Sequence, residues 1–521
     1  MALRRGVTVM FAWSLVTLAH AAESGPDPQR GGDLYSGKVA LHATTTDGAP
    51  VPTRLAACVQ CHRPSGLGGF EGGSAVPPIA ARYLFAPFDP DTSRFFRSEV
   101  RHRIRPAYDE VALGSMLRTG IAPDGHATRA PMPRYRIGER DVRDLAAYLR
   151  GLSMEPAPGI DASTVRIATI TTPGIDPARA AAMLAVLRTF ETGRNRQTRQ
   201  EFQRSAQSRR SHEMAMSRKF RVWKLVHWAL DGDPQTWAAQ LERYQAEAPV
   251  FGVMSGMGTG DWSAVEAFCE RRRLPCILPQ IDQVPIEADA SSRFFSLYFH
   301  AGLEHDLGLA IDALQRAGVR RVELWMNDAN VRPKERVAIQ VQNAGLTLVD
   351  EARGPSEAVL STLAPDEHLA RWRARPSVPD GVAWLPGARW QPAQQWLDGT
   401  QGAATAVLVT PLRPSDEAAA SMRRARDWLR SNGLLTLPDD VATTTLYAAT
   451  VFGEAFAHLD FDFTREYALE LIEHRLESMP PMSPYPRLAI GPDQRVASKG
   501  SYVGTVRTGR VDWQWKTSAT P

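Results

Sequence analysis

ACVQCHRPSG, residues 57 to 66, places Cys58, Cys61 and His62 in the order C-x-x-C-H. Structural zinc needs four ligands, and no second pair of Cys or His lies nearby at finger or ribbon spacing. A thioredoxin-type redox pair belongs between a strand and a helix, whereas residues 51–80 are rich in Gly and Pro. The motif therefore predicts c-type haem attachment, with two thioethers to the porphyrin and the His on the iron.

The N-terminal residues have the pattern of an export signal. Two arginines precede an apolar run over residues 7–18, and residues 19–21 have the small-x-small form of a cleavage site. We expect residues 1–21 to be a signal peptide and the mature protein to be periplasmic, where this kind of haem is attached. No later segment offers an uninterrupted membrane span, and a formal net charge of +4 over 521 residues does not indicate nucleic-acid binding.

A second ligand for the iron is expected downstream of the motif. Met132 lies between two prolines in a non-helical stretch just before a predicted helix, and its soft thioether suits haem iron. Met116 is the alternative, but it falls within a helical apolar pattern, which favours core packing. The sequence therefore favours Met132.

Residues 29–153 resemble a mono-haem class I cytochrome c. Besides the haem motif, the resemblance rests on GGDLYSG (31–37) and LAAYLRGL (145–152), which are similar to the first and last helices of that family. A third stretch, SAVPPIAARYLF (74–85), resembles the segment in which a proline-associated carbonyl accepts the Nδ1–H of the axial His.

This resemblance implies an all-α domain that carries one covalent haem c. Cys58 and Cys61 would be the thioether attachments. His62 and Met132 would be the axial ligands of the iron.

A Pro/Gly-rich linker, residues 154–163, leads to a different pattern. Over residues 164–510, short apolar runs such as VRIATIT (165–171), PVFGVM (249–254) and TAVLVT (405–410) alternate with amphipathic helical stretches. Such alternation predicts parallel sheets with helices on both faces, and this length is too great for one sheet. We therefore expect a two-lobed α/β domain after the cytochrome-like one.

This second region resembles the type I periplasmic binding proteins, the branched-chain amino acid and amide group that serves ABC importers. The likeness is carried by APVFGVMSGMGTGDWSAVEAFCERRRLPCILPQ (248–280), by RFFSLYFHAGLEHDLGLAIDALQRAGVRRVELWMND (293–328) and by AIGPDQRVASKGSYVGTV (489–506). In that family the ligand lies between the lobes, at the carboxyl ends of the strands. The resemblance thus implies a binding cleft for a small molecule.

Three residues follow from this resemblance as cleft candidates. Ser255 and Thr259 are implied as ligand contacts because they lie between a strand and a helix start, and Tyr298 is implied as a wall of the cleft. Ser and Thr at such positions could equally be helix caps with no ligand.

The remaining cysteines, Cys269 and Cys276, are seven residues apart, at the end of a predicted helix and the start of the next strand. In an oxidising compartment we expect a local disulfide between them rather than two free thiols.

The stretch from Arg194 to Arg221 holds nine Lys and Arg residues against only two Glu. A solvated helix face or an insertion would explain it. A dock for an acidic redox partner, with an association rate that falls with salt, is the functional alternative.

These features predict an exported electron carrier. We expect one-electron transfer through a His/Met haem to or from a periplasmic redox partner, such as a quinoprotein dehydrogenase, or a terminal electron acceptor. The second domain would recognise a small molecule or the partner. The alternative is a solute-binding protein of an ABC importer with an accessory haem. Catalysis is not expected, because a haem peroxidase needs an open iron position and Met132 argues against one.

Overall fold

The computed structural model describes residues 25–517 except 72–73, 88–103, 153–155, 207–220, 286–292, 327–330, 350–355, 376, 378, 460–462, 481, 487, 492–493 and 508. The predicted signal peptide therefore lies outside the described residues. The chain divides into two compact units, Met1–Met154 and Glu155–Pro521.

The first unit combines short helices with short strands. Its described helices are Pro28–Ser36, Val59–His62, Ala81–Leu84, Glu110–Thr119 and Glu139–Gly151, with a 3-10 turn at Thr53–Ala56. Its strands are β1 (His42–Thr44), β2 (Pro50–Val51), β3 (Gly69–Glu71), β4 (Ser74–Val76) and β5 (Arg134–Arg136), in a sheet of order β2-β1-β5 and a β3-β4 hairpin. The prediction of an all-α domain is therefore not confirmed, because strands of two or three residues are too short to show a period of two in the sequence.

The first and last helices of this unit, Pro28–Ser36 and Glu139–Gly151, cross in close contact. A Cβ atom on Gly31 would lie 2.0 Å from the carbonyl oxygen of Asp144, so only glycine permits this approach. The backbone N–H of Asp27 donates to Asp144 Oδ1 at 2.8 Å, which joins the start of the first helix to the last one. The GGDLYSG and LAAYLRGL stretches are thus the two helices that frame the core.

The second unit is an alternation of strands and helices. Its described helices are Pro177–Ala206, Pro234–Glu247, Ser263–Arg271, Leu303–Arg316, Val331–Asn343, Pro365–Arg373, Ala393–Asp398, Ser415–Ser421, Arg423–Ser431, Asp439–Ala457 and Arg465–Ser478. Its strands are β6 (Thr164–Thr171), β7 (Val222–Ala229), β8 (Gly252–Met254), β9 (Met257–Gly258), β10 (Cys276–Ile277), β11 (Gln280–Ile281), β12 (Ser296–His300), β13 (Arg321–Trp325), β14 (Thr347–Val349), β15 (Ala358–Ser361), β16 (Gly381–Trp384), β17 (Thr405–Thr410), β18 (Val496–Ser498), β19 (Gly500–Arg507) and β20 (Arg510–Thr517).

These strands form two sheets, one in each lobe. The first has the order β11-β9-β6-β8-β10-β12-β18 with β7 beside β6, and its pairs are parallel. The second has the order β14-β13-β15-β16-β17-β19-β20 and is parallel except for the pairs that β19 makes. The prediction of a two-lobed α/β fold is confirmed, and β20 continues the second sheet beyond residue 510, where the sequence pattern placed the end of the domain.

The chain passes between the lobes three times in the described residues. It leaves the first sheet after β12, returns after β17 and crosses again between β18 and β19. The helices Asp439–Ala457 and Arg465–Ser478 follow the second crossing and contribute to the main apolar cluster of the first lobe. Strand order alone therefore places three connections between two separate sheets.

The predicted disulfide is present. Cys269 in the helix Ser263–Arg271 is bonded to Cys276 at the start of β10, and both residues are buried. The bond ties the helix to the strand that follows it in the first lobe.

Asp306, next to the first crossing, is a buried carboxyl group. Its Oδ1 accepts from Ser501 Oγ at 2.5 Å, at the start of β19, whereas Oδ2 has no partner among the described residues. Burial, with the nearby charge of Asp282, raises the pKa of Asp306 to about 7. His305, the neighbouring residue, is partly buried, and this partial burial lowers its pKa.

We predict that Asp306→Asn makes the second unit more stable at alkaline pH. Between the ordinary carboxyl pKa of 3.8 and about 7, the folded protein holds a proton that the unfolded chain has released. The free energy of unfolding should therefore fall as pH rises through this window, by about 1.4 kcal/mol for each pH unit. Thermal unfolding at pH 5 and pH 8 measures this: Asp306→Asn should raise the melting temperature by clearly more at pH 8 than at pH 5, because pH 5 lies near the lower end of the window. Asp312→Asn, an exposed position on the same helix, should show no such difference.

Candidate functional site

The C-x-x-C-H motif forms one short helical turn. Cys58 precedes the helix Val59–His62, and its carbonyl accepts from the N–H of His62 at 2.9 Å. The turn ends at Arg63, which has a φ of 64° that does not continue a right-handed helix. Cys58 and Cys61 are three residues apart and therefore lie on one side of the turn, with Cys58 buried and Cys61 partly exposed. Burial raises the pKa of the Cys58 thiol to about 12, which disfavours thiolate chemistry.

His62 is held by a carbonyl from the segment that the sequence had indicated. Its Nδ1 lies 3.0 Å from the carbonyl oxygen of Pro77. Since a carbonyl can only accept, Nδ1 carries the proton and Nε2 keeps a free lone pair. No hydrogen bond to Nε2 is present among the described residues, and burial lowers the pKa of His62 to about 4, so the ring is neutral.

Glycines bring Pro77 back onto His62. The N–H of Gly68 donates to the carbonyl of His62 at 3.1 Å, and the carbonyl of Gly66 accepts from the N–H groups of Ile79 and Ala80. Gly68 has a φ of 69°, and a Cβ there would lie 2.2 Å from the carbonyl oxygen of Val76. The turn therefore requires glycine at this position.

Met132 lies in a loop that Arg134 organises. Its carbonyl accepts from Arg134 Nη1 at 3.0 Å, and the same nitrogen donates to Thr128 Oγ1 at 3.0 Å. Gly120 has a φ of 75° and is packed so closely on the guanidinium that a Cβ would lie 1.9 Å from Arg134 Cζ. Met132 packs partly buried on the core of the first unit, whereas Met116 is buried inside it. Sequence reasoning missed Arg134, because its contacts join positions that no motif connects.

The three cleft candidates have different surroundings in the second unit. Ser255 follows β8 at its carboxyl end with a φ of 58°, and its buried Oγ has no hydrogen-bond partner among the described residues. Thr259 Oγ1 instead donates to the carbonyl of Pro173 at 2.8 Å, so this hydroxyl fastens two loops. Neither hydroxyl caps the next helix, which begins at Ser263.

Tyr298 does not form a wall of a cleft. It lies on β12, between β10 and β18 in the first sheet, where all five residues of the strand are buried, and its hydroxyl donates to Glu266. Burial, and then the charge of Glu266, raises the pKa of Tyr298 well above its usual value. The structure thus assigns Tyr298 to the core.

The first part of the basic stretch, residues 194–206, belongs to the helix Pro177–Ala206. Arg196 and Arg199 are exposed, while the Arg194 guanidinium lies 5.6 Å from the centre of the Trp223 ring. Arg209, Arg210 and Arg218 lie outside the described residues.

The motif, the Pro77 contact and the last helix of the first unit, Glu139–Gly151, all lie in a stretch that a known family describes. Residues 53–153 match the family model for cytochrome c. The resemblance inferred for the first domain is thereby confirmed, and this family implies a covalently bound haem with its iron. The donor set of the cytochrome c domain fits that group: two thiols on one turn, followed by a neutral imidazole whose Nε2 makes no hydrogen bond to any described residue.

Solved structures similar to the chain include substrate-binding proteins of ABC transporters. A fatty acid ABC transporter substrate-binding protein from Thermomonospora curvata is 13% identical, with a TM-score of 0.48 over 70% of this chain and 95% of its own. A branched-chain amino acid ABC transporter protein from Thermus thermophilus with bound valine is 12% identical, with a TM-score of 0.46 over 68% and 98%. A branched-chain amino acid transporter substrate-binding protein from Streptococcus pneumoniae in complex with isoleucine is 10% identical, with a TM-score of 0.46 over 68% and 100%. Comparison with curated proteins gives no match.

Two further features concern the whole described chain. Within the described ranges, no group of three or more His, Cys, Asp or Glu residues is arranged to hold a metal ion. Among the helices described, none combines the length and the apolar character that crossing a membrane requires.

Proposed function

We propose that the protein is a periplasmic electron carrier whose one haem is held by Cys58, Cys61, His62 and Met132. The observation that carries this proposal is the 3.0 Å contact between His62 Nδ1 and the Pro77 carbonyl, inside a segment that matches the cytochrome c family. When bound, the haem supplies a one-electron Fe(III)/Fe(II) couple.

The residues of the chain have separate tasks in this proposal. Cys58 and Cys61 anchor the group through thioethers, which are uncharged and therefore suit the buried turn. Pro77 fixes the ring of His62, sets its tautomer and raises its basicity as a ligand. Arg134 positions the loop from which Met132 would supply the second axial ligand, and a thioether ligand raises the reduction potential.

We further propose that the second unit recognises a small molecule or the redox partner. Ser255 supports the binding of a small ligand. Its hydroxyl is buried at the carboxyl end of a parallel strand and has no hydrogen-bond partner among the described residues. A ligand could supply the missing donor or acceptor. A protein partner is supported by the basic stretch, whose exposed Arg196 and Arg199 suit an acidic surface. The partner that fits an exported carrier is a dehydrogenase, such as a quinoprotein, or a terminal electron acceptor.

Electron-transfer kinetics test the proposal. Mixing the oxidised protein with a reduced quinoprotein dehydrogenase should produce the reduced haem spectrum. Reversing the charges of Arg209, Arg210 and Arg218 should slow the reaction several-fold at low ionic strength and little at high ionic strength.

The double variant Ser255→Ala, Thr259→Ala should leave the rate of haem reduction unchanged. It should weaken the binding of any small ligand that stabilises the wild-type protein. Reversal of the exposed Arg316 serves as the charge control. No haem reduction by dehydrogenases and no oxidation by acceptors would contradict electron transfer as the function.

A further inference from the structure

The loop after β16, residues 386–392, belongs to the second lobe in the sequence but packs on the first. It leaves the second sheet at the carboxyl end of β16 and leads into the helix Ala393–Asp398, whose Trp396 is buried in the apolar cluster of the second lobe. Ala388 and Trp390 lie between this strand and this helix, and they pack instead against the main apolar cluster of the first lobe. The loop therefore bridges the two lobes.

A polar contact joins the same loop to the first sheet. Asp282 directly follows β11, at the carboxyl end of that strand. Its Oδ2 lies 3.9 Å from Arg389 Nη2. Gly387 has a φ of 68° and approaches so closely that a Cβ would lie 2.7 Å from Asp282 Oδ1. The loop thus meets the first lobe through an apolar contact and an independent charged one.

The place of this contact matters for binding. In α/β proteins ligands bind outside the carboxyl ends of the parallel strands, where Ser255 also lies. Here the carboxyl-end loops of β11 and β16 touch each other, so part of the chain occupies the region between the two sheets.

The contact has a feature that makes it reversible. The indole Nε1 of Trp390 is buried and has no hydrogen-bond partner among the described residues. Burying an indole gains hydrophobic stabilisation, but an unpaired donor costs part of it. The Arg389–Asp282 pair is half-exposed and adds little. Trp390 therefore holds the lobes together less firmly than a fully satisfied core residue would.

We propose that residues 386–392 form a latch that keeps the lobes closed in the absence of a ligand. Trp390 inserts into the first lobe, and a ligand or partner reaches the cleft only after the latch has withdrawn. The claim that a ligand or partner needs the latch to withdraw rests on the cleft function proposed above. The claim that the latch holds the lobes closed does not.

The separation of the lobes in the full, haem-loaded chain tests the latch. Haem attachment uses Cys58 and Cys61, and the disulfide uses the other two cysteines, so introduced cysteines can carry spin labels selectively. Arg243→Cys and Arg316→Cys place one label on an exposed helix of each lobe. Without added ligand, pulsed electron paramagnetic resonance should give one narrow distance distribution for the protein with an intact latch.

Two latch variants should open this protein. Trp390→Ala removes the apolar contact, and Gly387→Ala forces Asp282 away while it leaves the indole in place. Each should add a longer distance and shift the ratio of open to closed molecules by at least about tenfold. If Trp390→Ala does not fold, the distances measured in Gly387→Ala still test whether the latch holds the lobes closed.

Two matched variants should keep the narrow distribution. Gly345→Ala introduces the same kind of strain, at a φ of 82°, where nothing lies within 4 Å of the added Cβ. Trp513→Ala removes a partly buried indole from the second lobe. Unchanged distances in both latch variants, or a broad distribution already in the parent protein, would overturn the latch. If the latch is overturned in this way while the haem of the same variants keeps a normal redox titration, the proposal of electron transfer still stands.

Discussion

Replacement of both Cys58 and Cys61 by Ala should abolish covalently bound haem. Each thiol forms its own thioether, so the double variant has no bond that survives denaturation, and His62 alone gives only a dissociable contact. After denaturing electrophoresis, haem-dependent peroxidase staining of the exported protein should fall to background. Each single variant should retain a reduced amount of haem, because one thioether remains.

The disulfide cysteines provide a matched control for this experiment. Cys269→Ser with Cys276→Ser removes two sulfurs from the other unit and should leave haem staining unchanged per folded chain. That variant should lose stability instead, by about 2–3 kcal/mol for a loop this short. Haem staining that persists in the Cys58, Cys61 double variant would refute the assignment of the motif.

Met132→Ala should remove the second axial ligand of the iron. The oxidised wild-type protein should show the weak near-infrared band of sulfur-to-iron charge transfer, and this variant should lose it. Its reduction potential should fall as well, because a soft thioether stabilises the reduced iron. Spectra of the oxidised protein with a redox titration measure both effects.

Met116→Ala is the control for this change. Met116 is buried in the helix Glu110–Thr119, so its loss should cost about 2–5 kcal/mol of stability and leave the near-infrared band in place. Arg134→Lys should weaken the band partially, since Lys cannot reproduce the paired contacts that hold the Met132 loop. Loss of the band in Met116→Ala, with retention in Met132→Ala, would show that the other methionine is the ligand.

The sequence predicted best those elements that local patterns encode. The run TAVLVT coincides with β17 because a buried parallel strand is continuously apolar. Ala358–Ser361 was missed because four residues give too little pattern to recognise. The strand Arg510–Thr517 carried a usable signal, since Val511, Trp513 and Trp515 alternate with exposed polar residues.

The residues of the candidate site also fall into those that the sequence predicted and those that it did not. The order of Cys58, Cys61 and His62 predicted their common turn, because a helix places residues three and four apart on one side. The position of Tyr298 was not predictable, because all five residues of β12 are buried and its sequence, SLYFH, contains no alternation to indicate an exposed face. The contact of residues 386–392 with the first lobe depends on how the two sheets meet, which no local pattern encodes.

The most direct test of the central claim is a redox titration of the purified, exported protein followed by visible absorption. One His/Met haem predicts a single reversible transition with a one-electron slope, about 59 mV for each tenfold change in the ratio of oxidised to reduced protein. A protein without a redox-active haem spectrum, or one that titrates in two separate haem transitions, would contradict the account.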